Sequence, residues 1–414
     1  MGAELAGYGP YLGRAADGVH DPLYATALVL EQDGERLALL ALDLIGVSAP
    51  LTSIIRHAVE QQCQISGDRL MVACSHTHSG PATLFLRAWG EMAPDYLALL
   101  PRHLAGVVAA AAANLQAVEV QYGAAELPGV AANRADPNGP VHEAIELVVL
   151  AGAAQPVAAL SAFGCHPVTR AATNTRYSRD FVGPLVDGVS TLLDGAPTLF
   201  LQGAAGDINP VKLHQDRTDE VSAELLRGAE TALSRRQSAG APHLGMASTT
   251  LDLPLAPPSH EALAALQEQA WTMIARETTG ARQKGLFDLE AAAADLDRLE
   301  NGAAEVRSTE LQAIRLTDQL ALAGVGAEVF ATFGNRIRDE SPFRQTLVVG
   351  YANDLVGYIP DEAEYDRDGY AAVVVPRILD QYPFSREVGT VLTDGMAALL
   401  REPFTPIRPA PATR

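Results

Sequence analysis

The densest chemistry in the chain is Cys74-Ser75-His76-Thr77-His78-Ser79-Gly80-Pro81, which directly follows the apolar run 70–73. Residues two apart in extended backbone point the same way, so His76 and His78 can face one point beyond a strand end. Neutral imidazoles are good zinc ligands, and in such a pair one ring can ligate while the other donates a hydrogen bond. Phe163-Gly164-Cys165-His166-Pro167 follows a second apolar run in the same way. Gln202-Gly203-Ala204-Ala205-Gly206-Asp207-Ile208-Asn209-Pro210 follows a third. Open α/β sheets place their sites at such strand ends. Each cluster alone is compatible with an ordinary turn, whereas His, His and Asp at three strand ends together point to one shared site.

Those strand ends need a scaffold. Apolar runs at 24–31 and 37–44 flank Gln32-Asp33-Gly34-Glu35, and Asp-Gly between such runs signals a hairpin. Further strands are expected at 70–74, 118–122, 146–150, 157–163, 198–201, 244–253, 308–316, 320–325 and 345–351. Helical spacing marks 50–64, 96–115, 181–193, 218–235 and 327–337. From Pro257-Pro258-Ser259-His260-Glu261 to Asn301 the chain is rich in Ala, Glu, Gln and Leu. That stretch predicts a helical arm at 257–301, two helices interrupted near Thr278-Thr279-Gly280, serving as a lid or a dimer contact. Alternating strands and helices give an α/β class with a mixed sheet core flanked by helices. Residues 1–402 form one domain in this reading, and 403–414 form an extended proline-rich tail.

Composition narrows the function. The 414 residues are 48% hydrophobic, enough for a sizeable core, and carry 30 basic against 50 acidic groups, a net charge of −20. Such a surface repels phosphate backbones and anionic membranes, so neither nucleic acid nor stable membrane insertion is expected. No apolar run is long enough to span a bilayer. The N-terminus lacks a basic start and a long apolar stretch, which points to the cytoplasm. Cys63, Cys74 and Cys165 are too few and too scattered for a disulfide framework and are expected as free thiols. A homo-oligomer is compatible with all of this.

At these residues the chain resembles the catalytic domain of the neutral, non-lysosomal ceramidases, which are zinc amidases. Gly18-Val19-His20 with Leu23-Tyr24-Ala25, Leu42-Asp43-Leu44, and the specific His76-Thr77-His78-Ser79-Gly80-Pro81 block carry the resemblance. His166, the 178–180 stretch, Gly206-Asp207, Glu328-Val329-Phe330 with Gly334-Asn335-Arg336, and the tyrosine-rich segment Tyr351, Tyr358, Tyr365 and Tyr370 continue it in order. The resemblance implies a Zn2+ site made by His76, His166, Glu328 and Tyr358. Tyr351 is the competitor for the fourth position. It also implies His78 and Tyr370 as groups that bond substrate or the developing oxyanion from opposite sides. Two imidazoles and a carboxylate suit zinc and leave room for water, whose pKa such a metal lowers to roughly 7. Asp207 is expected either to orient a ligand histidine or to take a proton. Asp43 and Asp180 are weaker supporting candidates, and Arg336 is expected at the surface. The implied activity is hydrolysis of an amide or ester bond in a small molecule, N-acyl compounds included.

Two departures shift the expectation away from ceramide itself. The family carries a serine shortly before its Gly-Asp, and here that stretch is Gly203-Ala204-Ala205. The family's further β-sandwich domain is expected to be absent from these 414 residues. Two rival readings follow. One is a metal-dependent amidohydrolase barrel, which needs a later lysine or extra histidines and a terminal aspartate at strand ends; Lys212 and Lys284 are the only lysines, neither follows a clear barrel strand, and the eight βα units are missing. The other is a catalytically degenerate member that binds a ligand.

Overall fold

A computed structural model describes residues 2–211, 215–276, 278–302 and 304–406. The first sheet joins β1 (Ala25–Gln32) and β2 (Glu35–Leu42) antiparallel through the Asp33-Gly34 turn. Helix α1 (Ala49–Cys63) then leads to β3 (Leu70–Cys74), which lies parallel to β2. The Ser48 hydroxyl accepts the Leu51 N–H at 3.4 Å and Pro50 sits in the first turn, which is why α1 starts there. After α2 (Pro94–Ala112) a second sheet assembles β4 (Glu119–Glu126), β5 (Ala144–Ala151) and β6 (Pro156–Phe163). Helix α3 (Val182–Leu192) leads to β7 (Thr198–Gln202), parallel to β6, and α4 (Thr218–Ser234) follows. The third sheet is built from the long β8 (Pro242–Pro254), and, beyond the hairpin α5 (His260–Ile274) and α6 (Thr279–Asn301), from β9 (Val306–Thr317) and β10 (Leu320–Val325). Helix α7 (Ala331–Glu340) connects to β11 (Gln345–Val349), parallel to β10, and α8 (Val388–Arg401) closes the unit.

The three sheets turn one face each toward a common apolar centre. In β2, Leu37, Leu39 and Ala41 point into that centre with residues of the other two sheets, while Ala38, Leu40 and Leu42 pack against α1 and α2. Burial on both faces explains why this strand is an unbroken apolar run. The second sheet is covered outside by α3 and α4, and the third by α7 and α8. The class is therefore mixed α/β, with helices outside the sheets.

Strands 70–74 and 320–325 have the expected bounds. The segment 327–337, expected as one helix, differs. Glu328–Val329 is a two-residue strand parallel to Tyr358–Ile359, and only then does α7 begin. That pairing reaches thirty residues along the chain and leaves no local periodicity to read. Of the tail, Thr405–Pro406 pair with β8; residues 407–414 lie outside the described residues, as does Lys212. All three cysteines are free, with Cys74 and Cys165 buried. Among the described residues no helix is long and apolar enough to cross a membrane.

Candidate metal centre

Three parallel strand pairs, β2–β3, β6–β7 and β10–β11, send the chain into one region at their C-terminal ends. Gln202, fully buried at the end of β7, ties the loops together. Its Nε2 donates to the carbonyls of Ser75 (3.0 Å) and Cys165 (2.8 Å), and its Oε1 accepts the Cys165 N–H (3.1 Å). The Gly350 N–H donates to the Gln202 carbonyl and the Cys74 N–H to that of Tyr351, adding the third sheet to the same knot.

His76 sits just beyond β3 with φ +66°, a left-handed conformation that costs a non-glycine residue on the order of 1 kcal/mol. Its N–H donates to the Leu44 carbonyl, and its Nδ1 lies 2.6 Å from the Ile45 carbonyl. His166 Nδ1 lies 3.1 Å from the Ile208 carbonyl. A carbonyl only accepts, so both Nδ1 atoms carry the proton and both Nε2 atoms present lone pairs. Burial pushes the imidazole pKa down to about 4 for His76 and about 3 for His166, so both rings are neutral at pH 7.

The lone pairs converge with oxygen donors. Glu328 Oε2 is 3.4 Å from His76 Nε2 and 3.2 Å from His166 Nε2. The Tyr358 hydroxyl is 3.2 Å from His166 Nε2, brought there because Tyr358 is Glu328's direct partner in the short strand pair. Ligands about 2.0–2.1 Å from a tetrahedral zinc stand about 3.3 Å from one another. The donor set of two imidazoles, a carboxylate and a phenol thus fits a divalent cation in both chemistry and spacing. His78 joins the group: its Nε2 is 3.2 Å from His76 Nε2, and the ligand atoms of His76, His78 and His166 all lie within 4.8 Å of one another. These three histidines can hold a metal among themselves.

The structure brings together His76, His78, His166, Glu328 and Tyr358. Tyr370 stands at the mouth, 40% exposed, its ring 6.1 Å from that of Tyr358. Tyr351, the competitor for the fourth position, is fully buried and also touches the site. Its hydroxyl donates to Glu328 Oε2 at 3.2 Å and its ring lies 4.1 Å from that of His76.

Asp207 is elsewhere committed. Its carboxylate accepts the Ala331 N–H (2.7 Å) and the Asn133 amide (2.6 Å), and among the described residues no histidine donates to it. Burial raises its pKa to about 6, and those two donors oppose the rise. The expected role of orienting a ligand histidine is therefore not seen; the Ile208 carbonyl does that for His166. Asp180 accepts from Thr169, Arg170 and Phe181, and Arg336 pairs with Glu340 and Asp394, both outside the cleft. Asp43 lines a different cavity.

Sequence reasoning missed Arg134. Its Nη2 donates to the Tyr358 hydroxyl oxygen (2.8 Å) and to the Gly206 carbonyl (2.7 Å). Its loop, Asn133-Arg134-Ala135-Asp136, carries no motif, so nothing local flagged it. The N-terminal loop was missed as well. Gly7 (φ +83°) lies against His78 Nδ1, and Arg14 Nη2 donates to the carbonyls of Ala6, Gly7 and His78 at 2.7, 3.3 and 3.1 Å. The cleft above the donors is walled by Leu86, Trp89, Leu355, Val375, Ile378 and Leu379.

No family model matches the chain, and no curated protein matches it by sequence. Among solved structures, 99% of the chain superposes on the neutral ceramidase from Pseudomonas aeruginosa with a TM-score of 0.73 and 18% identity, covering 75% of that chain. A ceramidase complexed with C2 matches over the same shares with a TM-score of 0.75 and 17% identity. The chain has the ceramidase fold.

Proposed function

We propose that this chain, built on the fold of the neutral ceramidases, is a zinc-dependent hydrolase of amide or ester bonds in small molecules, N-acyl compounds among them. The observation that carries this reading is the spacing of 3.2–3.4 Å among His76, His166, Glu328 and Tyr358 donor atoms. In this reading those four residues hold the metal. When bound, zinc supplies a Lewis acid and activates water at neutral pH. The chain's own residues do the rest. The apolar walls take the acyl part of the substrate and exclude bulk water. His78 and Tyr370 flank the donors and hydrogen-bond the carbonyl oxygen as it gains charge, a contribution of about 3 kcal/mol per donor. Arg134 fixes the Tyr358 oxygen and lowers the cost of negative charge on it; it acts against the burial that pushes this phenol's pKa up. Asp207 anchors the start of α7 and so holds the Glu328 segment in place.

The test is metal content followed by turnover. Purified chain should carry close to one zinc, lost on His76→Ala or His166→Ala and weakened by Glu328→Gln. A screen of N-acyl amides, esters and lactones should then find hydrolysis that a chelator abolishes. Zinc-replete growth that yields metal-free protein, or turnover indifferent to chelator, refutes the proposal. A second reading, a ligand-binding protein without turnover, is favoured by the absence of any hydroxyl at Gly203-Ala204-Ala205, all three buried. Zinc bound at full occupancy with no hydrolysis across the screen supports it.

A further inference from the structure

A cavity of about 170 Å3 lies beside the strand that delivers His76 and shares no lining residue with the metal cleft. A space of the order of 150 Å3 accepts a guest the size of benzene, so this one holds a molecule of about six heavy atoms. Ser75 lines it. This residue is 2% exposed, and its Oγ stands beside the Asp43 carboxyl without a hydrogen bond of good geometry. A buried hydroxyl left so is rare and costs about 1–3 kcal/mol unless something else satisfies it.

The charges around the cavity do not balance. Arg179 is the cation lining it, and three of its five N–H donors are committed: Nε to Asp21 at 3.1 Å, and one on each terminal nitrogen to Asp187 at 3.0 and 2.7 Å. Asp43 accepts the Tyr24 N–H at 2.9 Å, and among the described residues no lysine or arginine side chain reaches it in an ion pair. The lining thus carries one guanidinium against two carboxylates, Asp43 and Asp187. Val182, Val186 and Phe200 supply apolar lining to the same cavity. A hydrated metal ion gains nothing from that lining, whereas a short carbon skeleton does.

We propose that this cavity is a binding site for a small primary ammonium compound, its ammonium held by Asp43 and Ser75 and its carbon skeleton lying on Val182, Val186 and Phe200. The ammonium's three N–H donors match the acceptors present, and its charge restores the balance that Arg179 leaves unmet. The rise of the Asp43 pKa to about 7, caused by burial, is the cost such a cation removes.

The test is calorimetric titration of the full chain with n-butylamine at pH 8, with n-butanol as the uncharged control. Saturable one-to-one binding of n-butylamine and none of n-butanol is expected. Asp43→Asn should weaken it at least tenfold, and so should Ser190→Leu, which fills the cavity from α3 and leaves the carboxyl untouched. His166→Ala, in the separate metal cleft, should leave it unchanged. Absence of saturable binding overturns the proposal. So does equal binding by n-butanol, or n-butylamine affinity unchanged in Ser190→Leu.

Discussion

Tyr351 and Arg134 show how much of the candidate site lies one contact behind the proposed metal ligands. The Tyr351 hydroxyl holds Glu328 Oε2, and removal of such an outer partner commonly costs 10–100-fold in metal affinity. Tyr351→Phe keeps the buried ring and its packing on His76, so zinc affinity measured by chelator competition should fall by about that factor while the unfolding midpoint holds. Arg134 donates to the Tyr358 oxygen at 2.8 Å. Arg134→Met should lower zinc affinity about 10–100-fold, as expected on losing the partner of a proposed ligand. Unchanged zinc affinity in Arg134→Met would remove the arginine from metal retention. Arg134 had no local signal. Tyr351 was visible only as an alternative to Tyr358, because a tyrosine at a strand end looks like core until its partner Glu328 is placed beside it.

The ends of the strands hold the site loops in place. Gln202 joins the ends of β3 and β6 from the end of β7, with three side-chain hydrogen bonds in a dry environment. Gln202→Leu leaves two buried carbonyls and one N–H unpaired, so chemical denaturation should report a loss of about 2–4 kcal/mol, and zinc affinity should fall with it. The α5–α6 hairpin acts on the cleft through one wall. Phe287 of α6 lies in an apolar cluster with Phe330, Tyr358, Val375 and Ile378, and Asp288 pairs with Arg377 at 2.9 Å. Phe287→Ala should destabilise by about 3 kcal/mol and raise KM for substrates with an apolar acyl group more than it lowers kcat. A kcat loss at constant KM would show that the hairpin supports the chemistry rather than the wall. The hairpin was legible from composition and spacing because α5 and α6 are long and locally periodic. The two-residue strand at Glu328–Val329 was not, since a partner thirty residues away defines it.

Across the whole molecule, buried charge sets how stability responds to pH. Burial raises the Asp43 pKa from 3.8 to about 7. The native state therefore binds this proton more tightly than the unfolded chain does, and the resulting stability is complete below about pH 4 and lost as pH rises through 7. The buried histidines shift in the opposite sense, so wild type alone mixes the two trends. The difference between wild type and Asp43→Asn removes the histidines. Between pH 5 and 8 wild type should lose about 1 kcal/mol relative to the variant, roughly half of what the shift implies over that range, because the carboxyl keeps contact with solvent. A pH-independent difference in urea titrations would contradict the shift. The mixed α/β class and the strand-end histidines were readable from periodicity and spacing. The convergence of three sheets and the reach of the N-terminal loop were not, because both depend on contacts far apart in sequence. That loop has a consequence for any survey of sequence variants. A Cβ at Gly7 would stand 2.3 Å from His78 Nδ1, and the backbone there already disfavours side chains. In a saturation library scored for zinc occupancy, position 7 should be as barren as the ligand positions, although the residue there offers the metal nothing.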